Sequence, residues 1–121
     1  MSGDDLKPLL FVGSARKDMH KFPKLVRYDF GFDLYREQQG KTPETAKKLK
    51  GLSGVMEIIK RYDTDTYRAV YVANLGGAVY VLHCFRKKSK RGIKTPQQDI
   101  MTIKQRLRTA QIQSKKGEKS Q

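Results

Sequence analysis

The stretch Thr66-Tyr-Arg-Ala-Val-Tyr-Val-Ala, Asn74-Leu-Gly-Gly, Ala78-Val-Tyr-Val-Leu-His-Cys-Phe-Arg-Lys-Lys88 decides the fold. Two runs rich in Val, Tyr and Phe flank Gly76-Gly77, the pattern of two strands joined by a tight hairpin turn. Arg68 sits inside the first run. Arg86, Lys87 and Lys88 close the second. A guanidinium in an apolar central strand must reach water or an anion, because burying it unpaired is too costly. The hairpin therefore reads as the centre of a sheet that offers a cationic face to a phosphate chain.

Working outward, Val55–Tyr62 is a strand that enters the hairpin through Asp63-Thr64-Asp65. Val55, Glu57, Ile59 and Arg61 share one face, and Met56, Ile58, Lys60 and Tyr62 the other. Leu9-Leu10-Phe11-Val12, ended by Gly13, is a short buried strand. The expected sheet thus has four antiparallel strands. Ser14 is placed to cap a first helix. Pro23 suits the first turn of a second, where Val26, Phe30 and Leu34 recur at helical spacing as far as Gly40. The two helices form an N-terminal helical hairpin on one face of the sheet. Residues 41–54 read as a basic connection with Lys47, Lys48 and Lys50, holding at most one short helical turn after Thr42-Pro43. Thr95-Pro96 begins a last helix marked by Ile100, Ile103 and Leu107. The fold class is α+β, with residues 1–8 a flexible start, 9–110 one folded domain and 111–121 a disordered basic tail.

Of 26 basic and 12 acidic residues, residues 84–121 hold 12 of the first and 2 of the second. The positive charge of +14 therefore gathers where the hairpin ends. Such a cluster attracts polyanions, with nucleic acid ahead of an anionic membrane. No run is long enough to span a membrane, and no apolar signal core opens the chain. The lone Cys84 has no internal disulfide partner and fits a reducing, cytoplasmic setting. One cysteine and two distant histidines do not make a zinc site, and no phosphate loop or nucleophile elbow is present, so no metal or cofactor is expected.

Four segments together resemble one known family: Tyr-Arg-Ala-Val-Tyr (67–71), Tyr-Val-Leu-His-Cys-Phe-Arg-Lys-Lys-Ser (80–89), Thr-Pro-Gln-Gln-Asp-Ile (95–100) and Leu-Lys-Gly-Leu-Ser-Gly-Val-Met-Glu-Ile (49–58). They are similar to the RelE/ParE toxin superfamily of bacterial toxin–antitoxin systems, in its phage-derived Gp49-like, or HigB-like, branch. The resemblance covers about residues 9–110. It implies a RelE-like toxin that enters the ribosome and cuts messenger RNA, restrained by a small helix-turn-helix antitoxin. Arg68 matches the family's catalytic arginine, and Lys87 and Lys88 match positions that hold phosphate. Some members use a histidine near the C-terminus, and this chain has none after His83.

RNA can be cut without a metal when its 2′-hydroxyl attacks the adjacent phosphorus, given a base, an acid and charge stabilisation. Arg68 would fork onto phosphate oxygens, or else pair with Asp63, Asp65 or Glu57. His83 and Glu57 are the candidate proton carriers, each with a structural role as its rival. Lys87 and Lys88 alternate, so one of them faces the site. Lys60 or Arg61 would complete the clamp, and Lys50, Arg86, Lys90 and Arg91 would follow the RNA chain. The other readings from this superfamily are a gyrase-inhibiting ParE-like toxin, and a non-catalytic phage-derived protein that binds nucleic acid.

Overall fold

The computed structural model describes residues 5–88 and 95–119. Its elements in chain order are β1 (Leu9–Phe11), α1 (Ala15–His20), α2 (Lys24–Gln38), β2 (Ala46–Lys48), β3 (Val55–Tyr62), β4 (Asp65–Leu75), β5 (Ala78–Lys88) and α3 (Gln97–Lys119). The strands form one five-stranded sheet in the order β1-β5-β4-β3-β2. The α+β class holds, with two corrections. The sheet has a fifth strand, because Ala46–Lys48 pairs antiparallel with β3. It is also mixed, because β1 runs parallel to β5. A third difference lies in α3, which continues to Lys119 past the point where the sequence suggested a disordered tail. Ala110 and Ser114 are buried, so the helix has an inward face beyond its first apolar residues.

Each face of the sheet has its own core. On one side Ala15, Met19, Phe22, Val26, Phe30 and Leu34 of the helical hairpin meet Ile58, Tyr67, Ala69, Tyr71, Val79, Val81 and Cys84. On the other side Ile103 and Ala110 of α3 meet Val55, Val70, Val72, Tyr80 and Leu82. Phe30 is fully buried, and such a side chain contributes roughly 1.5–3 kcal/mol by leaving water. Tyr71 ties α2 to β4, its hydroxyl donating to Glu37 Oε2 at 2.5 Å.

The β4–β5 ladder is irregular at one decisive place. Val70 lies opposite His83 and Tyr71 opposite Val81, leaving Leu82 without an opposing residue. This is a β-bulge. Leu82 packs in the α3-side core, and His83 also meets α3 through Asp99. Beyond the bulge, Phe85 and Lys87 lie on the α3 side, while Cys84, Arg86 and Lys88 lie on the helical-hairpin side.

Arg106 of α3 fastens the chain before α1 to this bulge. It donates to the Leu82 carbonyl at 3.0 Å and to Ser14 Oγ at 2.9 Å. It passes over Gly13, where an added Cβ would meet Arg106 Nε at 2.9 Å and where φ is +58°. A glycine is required there on both counts.

Candidate functional site

Cross-strand register places the chemistry-bearing residues in rows on the α3 side of the sheet. Lys47, Glu57, Val70 and His83 make one row. Ile59, Arg68 and Phe85 make the next, and Arg61, Thr66 and Lys87 the third. Directly opposed residues on adjacent strands point to the same face. The ladder thus brings together four of the expected residues, Glu57, Arg68, His83 and Lys87, with Arg61 beside them.

Beside the first row lies a groove of about 710 Å³, bounded by the 48–52 loop and the start of α3. Glu57 and Thr95 lie within it, and Lys48, Lys50 and Lys104 supply cations to its wall. Lys48, Lys50 and Lys104 are exposed. Lys104 escapes sequence reading because it lies far along the chain on α3. Helical spacing from Ile100 and Ile103 places it beside the apolar stripe, which was the available signal.

Arg68 differs most from expectation. Its side chain is 1% exposed and does not face solvent. Its Nη1 donates to Glu57 Oε2 and to Thr95 Oγ1, both at 3.3 Å. The anion that the arginine needs is therefore one of the rival carboxylates. Its Nε–H is buried and has no partner among the described residues. Glu57 lines the groove and Arg68 stands behind it, so the guanidinium orients and balances the carboxylate rather than meeting ligand itself.

His83 is held from two sides. Its Nε2 is 2.7 Å from Asp99 Oδ1, and Arg106 Nη1 approaches its Nδ1 at 3.4 Å. A guanidinium only donates. Nδ1 must therefore accept, which leaves the proton on Nε2, where it is donated to Asp99. The ring also stacks on Phe85, with centroids 4.9 Å apart. Both ring nitrogens are engaged by α3, so in this arrangement His83 fixes the helix to the sheet and has no nitrogen free for proton transfer.

Three of the expected RNA contacts lie on the other face. Lys60 points toward α2 and pairs with Asp33 at 2.7 Å, where Thr45 Oγ1 also donates to the same carboxylate oxygen. Arg86 is 3.7 Å from Asp65, and both it and Lys88 lie on the helical-hairpin side by register. Lys90 and Arg91 lie outside the described residues. Lys60→Ala should therefore lower stability by about 2 kcal/mol, between surface and buried ion pairs. A urea titration checks this.

Cys84 is buried near Asp18, and desolvation followed by that charge pushes its thiol up to about 12. This fits an inert core thiol. Among the described residues no three His, Cys, Asp or Glu side chains converge on a position for a metal ion. No described helix is long and apolar enough to cross a membrane.

A family profile described as phage-derived protein Gp49-like matches residues 17–108. The match takes in α2, the meander and the first half of α3. The chain belongs to this family. The Gp49-like chain is a branch member of the RelE/ParE toxin superfamily, and its fold agrees. A double-arginine mutant of the Escherichia coli toxin RelE, in the free state, is 25% identical, with a TM-score of 0.53 over 65% of this chain and 81% of that one. The toxin–antitoxin complex RelBE2 from Mycobacterium tuberculosis is 27% identical, with a TM-score of 0.44 over 68% of this chain and 99% of that one. No curated protein matches the Gp49-like chain in sequence.

Proposed function

We propose that the chain is the toxin of a toxin–antitoxin pair and cuts messenger RNA on the ribosome, without a metal. The observation that carries this reading is the Glu57–Arg68 pair beside a lysine-walled groove on the α3 side of the sheet. Membership of the Gp49-like family and the likeness to RelE support it.

In this reading the RNA chain lies in the groove with its phosphates against Lys48, Lys50 and Lys104. Glu57, oriented by Arg68, takes the proton of a ribose 2′-hydroxyl. The freed oxygen attacks the adjacent phosphorus, and the bond from phosphorus to the 5′-oxygen breaks. A 2′,3′-cyclic phosphate forms, and the departing oxygen takes a proton from a rim ammonium. Lys47 is directly opposite Glu57 in the ladder and Lys87 is two rows away. Arg68 is then a positioning residue and Glu57 the catalytic one. His83 keeps α3 in place. The restraining partner in this reading is a small helix-turn-helix antitoxin that covers the groove.

Induced expression should stop growth, and transcripts from arrested cells should carry new ends with 2′,3′-cyclic phosphates. Lys50→Glu with Lys104→Glu changes only exposed side chains, so folding should survive while cleavage falls at least tenfold. RNA binding should lose part of its salt dependence, since each phosphate contact on a single strand contributes a slope of roughly −0.7. Arrested cells with intact transcripts and trapped DNA breaks would replace this reading with gyrase poisoning. Salt-sensitive binding without cut transcripts or arrest would replace it with simple nucleic-acid binding.

A further inference from the structure

Helix α3 borders the groove with one face, and that face continues after the groove has ended. Gln97, Ile100 and Lys104 line the groove opposite the 48–52 loop. Lys104 also opens a second, shallow depression of about 410 Å³, lined onward by Leu107, Arg108, Gln111, Ile112 and Lys115. Among the described residues this second hollow is lined by α3 alone. At 3.6 residues per turn, Gln97, Lys104, Arg108, Gln111 and Lys115 fall within an arc of about 60°. They make one row along the helix. The loop walls its first half and leaves its second half bare.

The row carries one sign of charge. From Ile100 to Gly117 the chain holds five cations and no carboxylate. Of the five, Arg106 turns inward to Leu82 and Ser14. Lys104, Arg108 and Lys115 are exposed, and none of these three is in an ion pair among the described residues. A rise of 1.5 Å per residue sets Lys104 and Lys115 about 16 Å apart along the axis, with Arg108 between them. Like charges held in line suit a chain of phosphates, which meets them one after another. No aromatic residue lies anywhere in α3, so the helix lacks the anchor that seats a cationic helix in a membrane surface.

We propose that this flank of α3 is a second nucleic-acid subsite, which takes the stretch of RNA leaving the groove. The role rests on the groove being the RNA site, as read above. Lys104 is the joint between the two, since it borders both hollows. Arg108 and Lys115 grip the phosphates beyond it, and Ile112, half exposed beside them, packs against the ribose edge. The helix past Ala110 thereby has a use besides packing. Its inward residues hold it against the sheet, and its outer row lengthens the footprint on RNA beyond the groove.

Labelled single-stranded RNAs of about 4 and about 12 nucleotides, within the usual range of single-strand sites, should be titrated with the full chain from about 50 to 200 mM salt. The longer RNA should show a salt slope steeper by about 1.4, the worth of two further phosphate contacts on a single strand. Arg108→Gln with Lys115→Gln should erase that difference and weaken binding of the longer RNA at least tenfold at the lowest salt. Lys17→Gln with Lys24→Gln, which takes the same charge from the helical hairpin, should leave the difference in place. Equal slopes for the two lengths in the parent overturn the proposal. So does an equal loss from the Lys17 and Lys24 pair, which would trace binding to net charge alone. If polyglutamate of equal charge displaces the longer RNA as well as unlabelled RNA does, the flank serves an acidic protein and the proposal falls. Cut transcripts in arrested cells test the groove separately. A chain that cuts them yet shows no effect of RNA length keeps the groove and loses the flank.

Discussion

Glu57→Leu should lower stability by about 3–5 kcal/mol, the usual result of leaving a buried charge without its partner. Arg68 lies on the central strand between Ile59 and Phe85. Its guanidinium stays charged at any accessible pH. Without Glu57 it would keep Thr95 alone, and its Nε–H already has no partner among the described residues. With a urea slope of about 1–3 kcal/mol per molar, the midpoint should fall by roughly 2 M. The pair itself need not add net stability, because desolvating two charges offsets most of their attraction. Glu57→Leu combined with Arg68→Met should therefore recover to within about 2 kcal/mol of the parent. This double variant separates folding from chemistry. It should be stable and harmless when expressed. If it folds and still arrests growth, the pair is no part of the active site. If the single variant keeps the parent midpoint, the guanidinium is hydrated and the burial argument fails.

The second large effect is expected at Tyr71→Phe. Tyr71 is fully buried and Glu37 nearly so, and a 2.5 Å hydrogen bond joins the two. Deleting the hydroxyl leaves a carboxylate buried without a donor, which should cost about 3 kcal/mol. Glu37→Gln keeps an acceptor for the hydroxyl and should cost less. A pH signature accompanies the loss. Burial first, then the hydrogen bond and charge of Glu37, push the Tyr71 phenol far above its ordinary 10.0. The folded chain then holds a proton that the unfolded chain releases. This contribution is complete below about pH 10 and declines as pH rises above it, by up to about 1.4 kcal/mol per unit. Cys84, pushed up from 9.0 to about 12, adds to the same loss from about pH 9. Both chains should carry it in the comparison. Urea midpoints from pH 9 to 11 should fall more steeply in the parent than in Tyr71→Phe. Equal slopes would place the phenol in contact with water.

Much of this architecture could be read from residue order. The Gly76-Gly77 turn, the alternation of β3 and the Val26, Phe30, Leu34 spacing of α2 are local signals, and local signals survive in a single chain. Strand β2 could not be read. Its residues are Ala-Lys-Lys, with a single small side chain facing inward, and pairing with β3 rather than propensity makes it a strand. The parallel direction of β1 depends on where the helical hairpin delivers the chain, which no local pattern encodes.

At the site, alternation along β3 already separated Lys60 from Glu57 and Arg61. What it lacked was the face on which Glu57 and Arg68 meet. The engagement of His83 was illegible for another reason. Asp99 and Arg106 are 16 and 23 residues further on, and only the docking of α3 brings them to the ring. A guanidinium inside a central strand calls for an anion, and residue order alone does not single out Glu57, which the folded chain places beside it.

The unopposed Leu82 gives the end of β5 a handedness of its own. Upstream of it, odd-numbered residues such as Val79 and Val81 serve the helical hairpin. Downstream, odd-numbered residues such as Phe85 and Lys87 serve α3. Were Leu82 instead to take an opposed place in the ladder, the hairpin turn and the upstream pairing would stay intact, yet Lys87 would go to the far side and Lys88 would come across in its place; removing Leu82 outright would leave Val81 and His83 opposite Tyr71 and Val70 and keep Lys87 where it is. The side on which Lys87 stands therefore rests on Leu82 being passed over in the pairing.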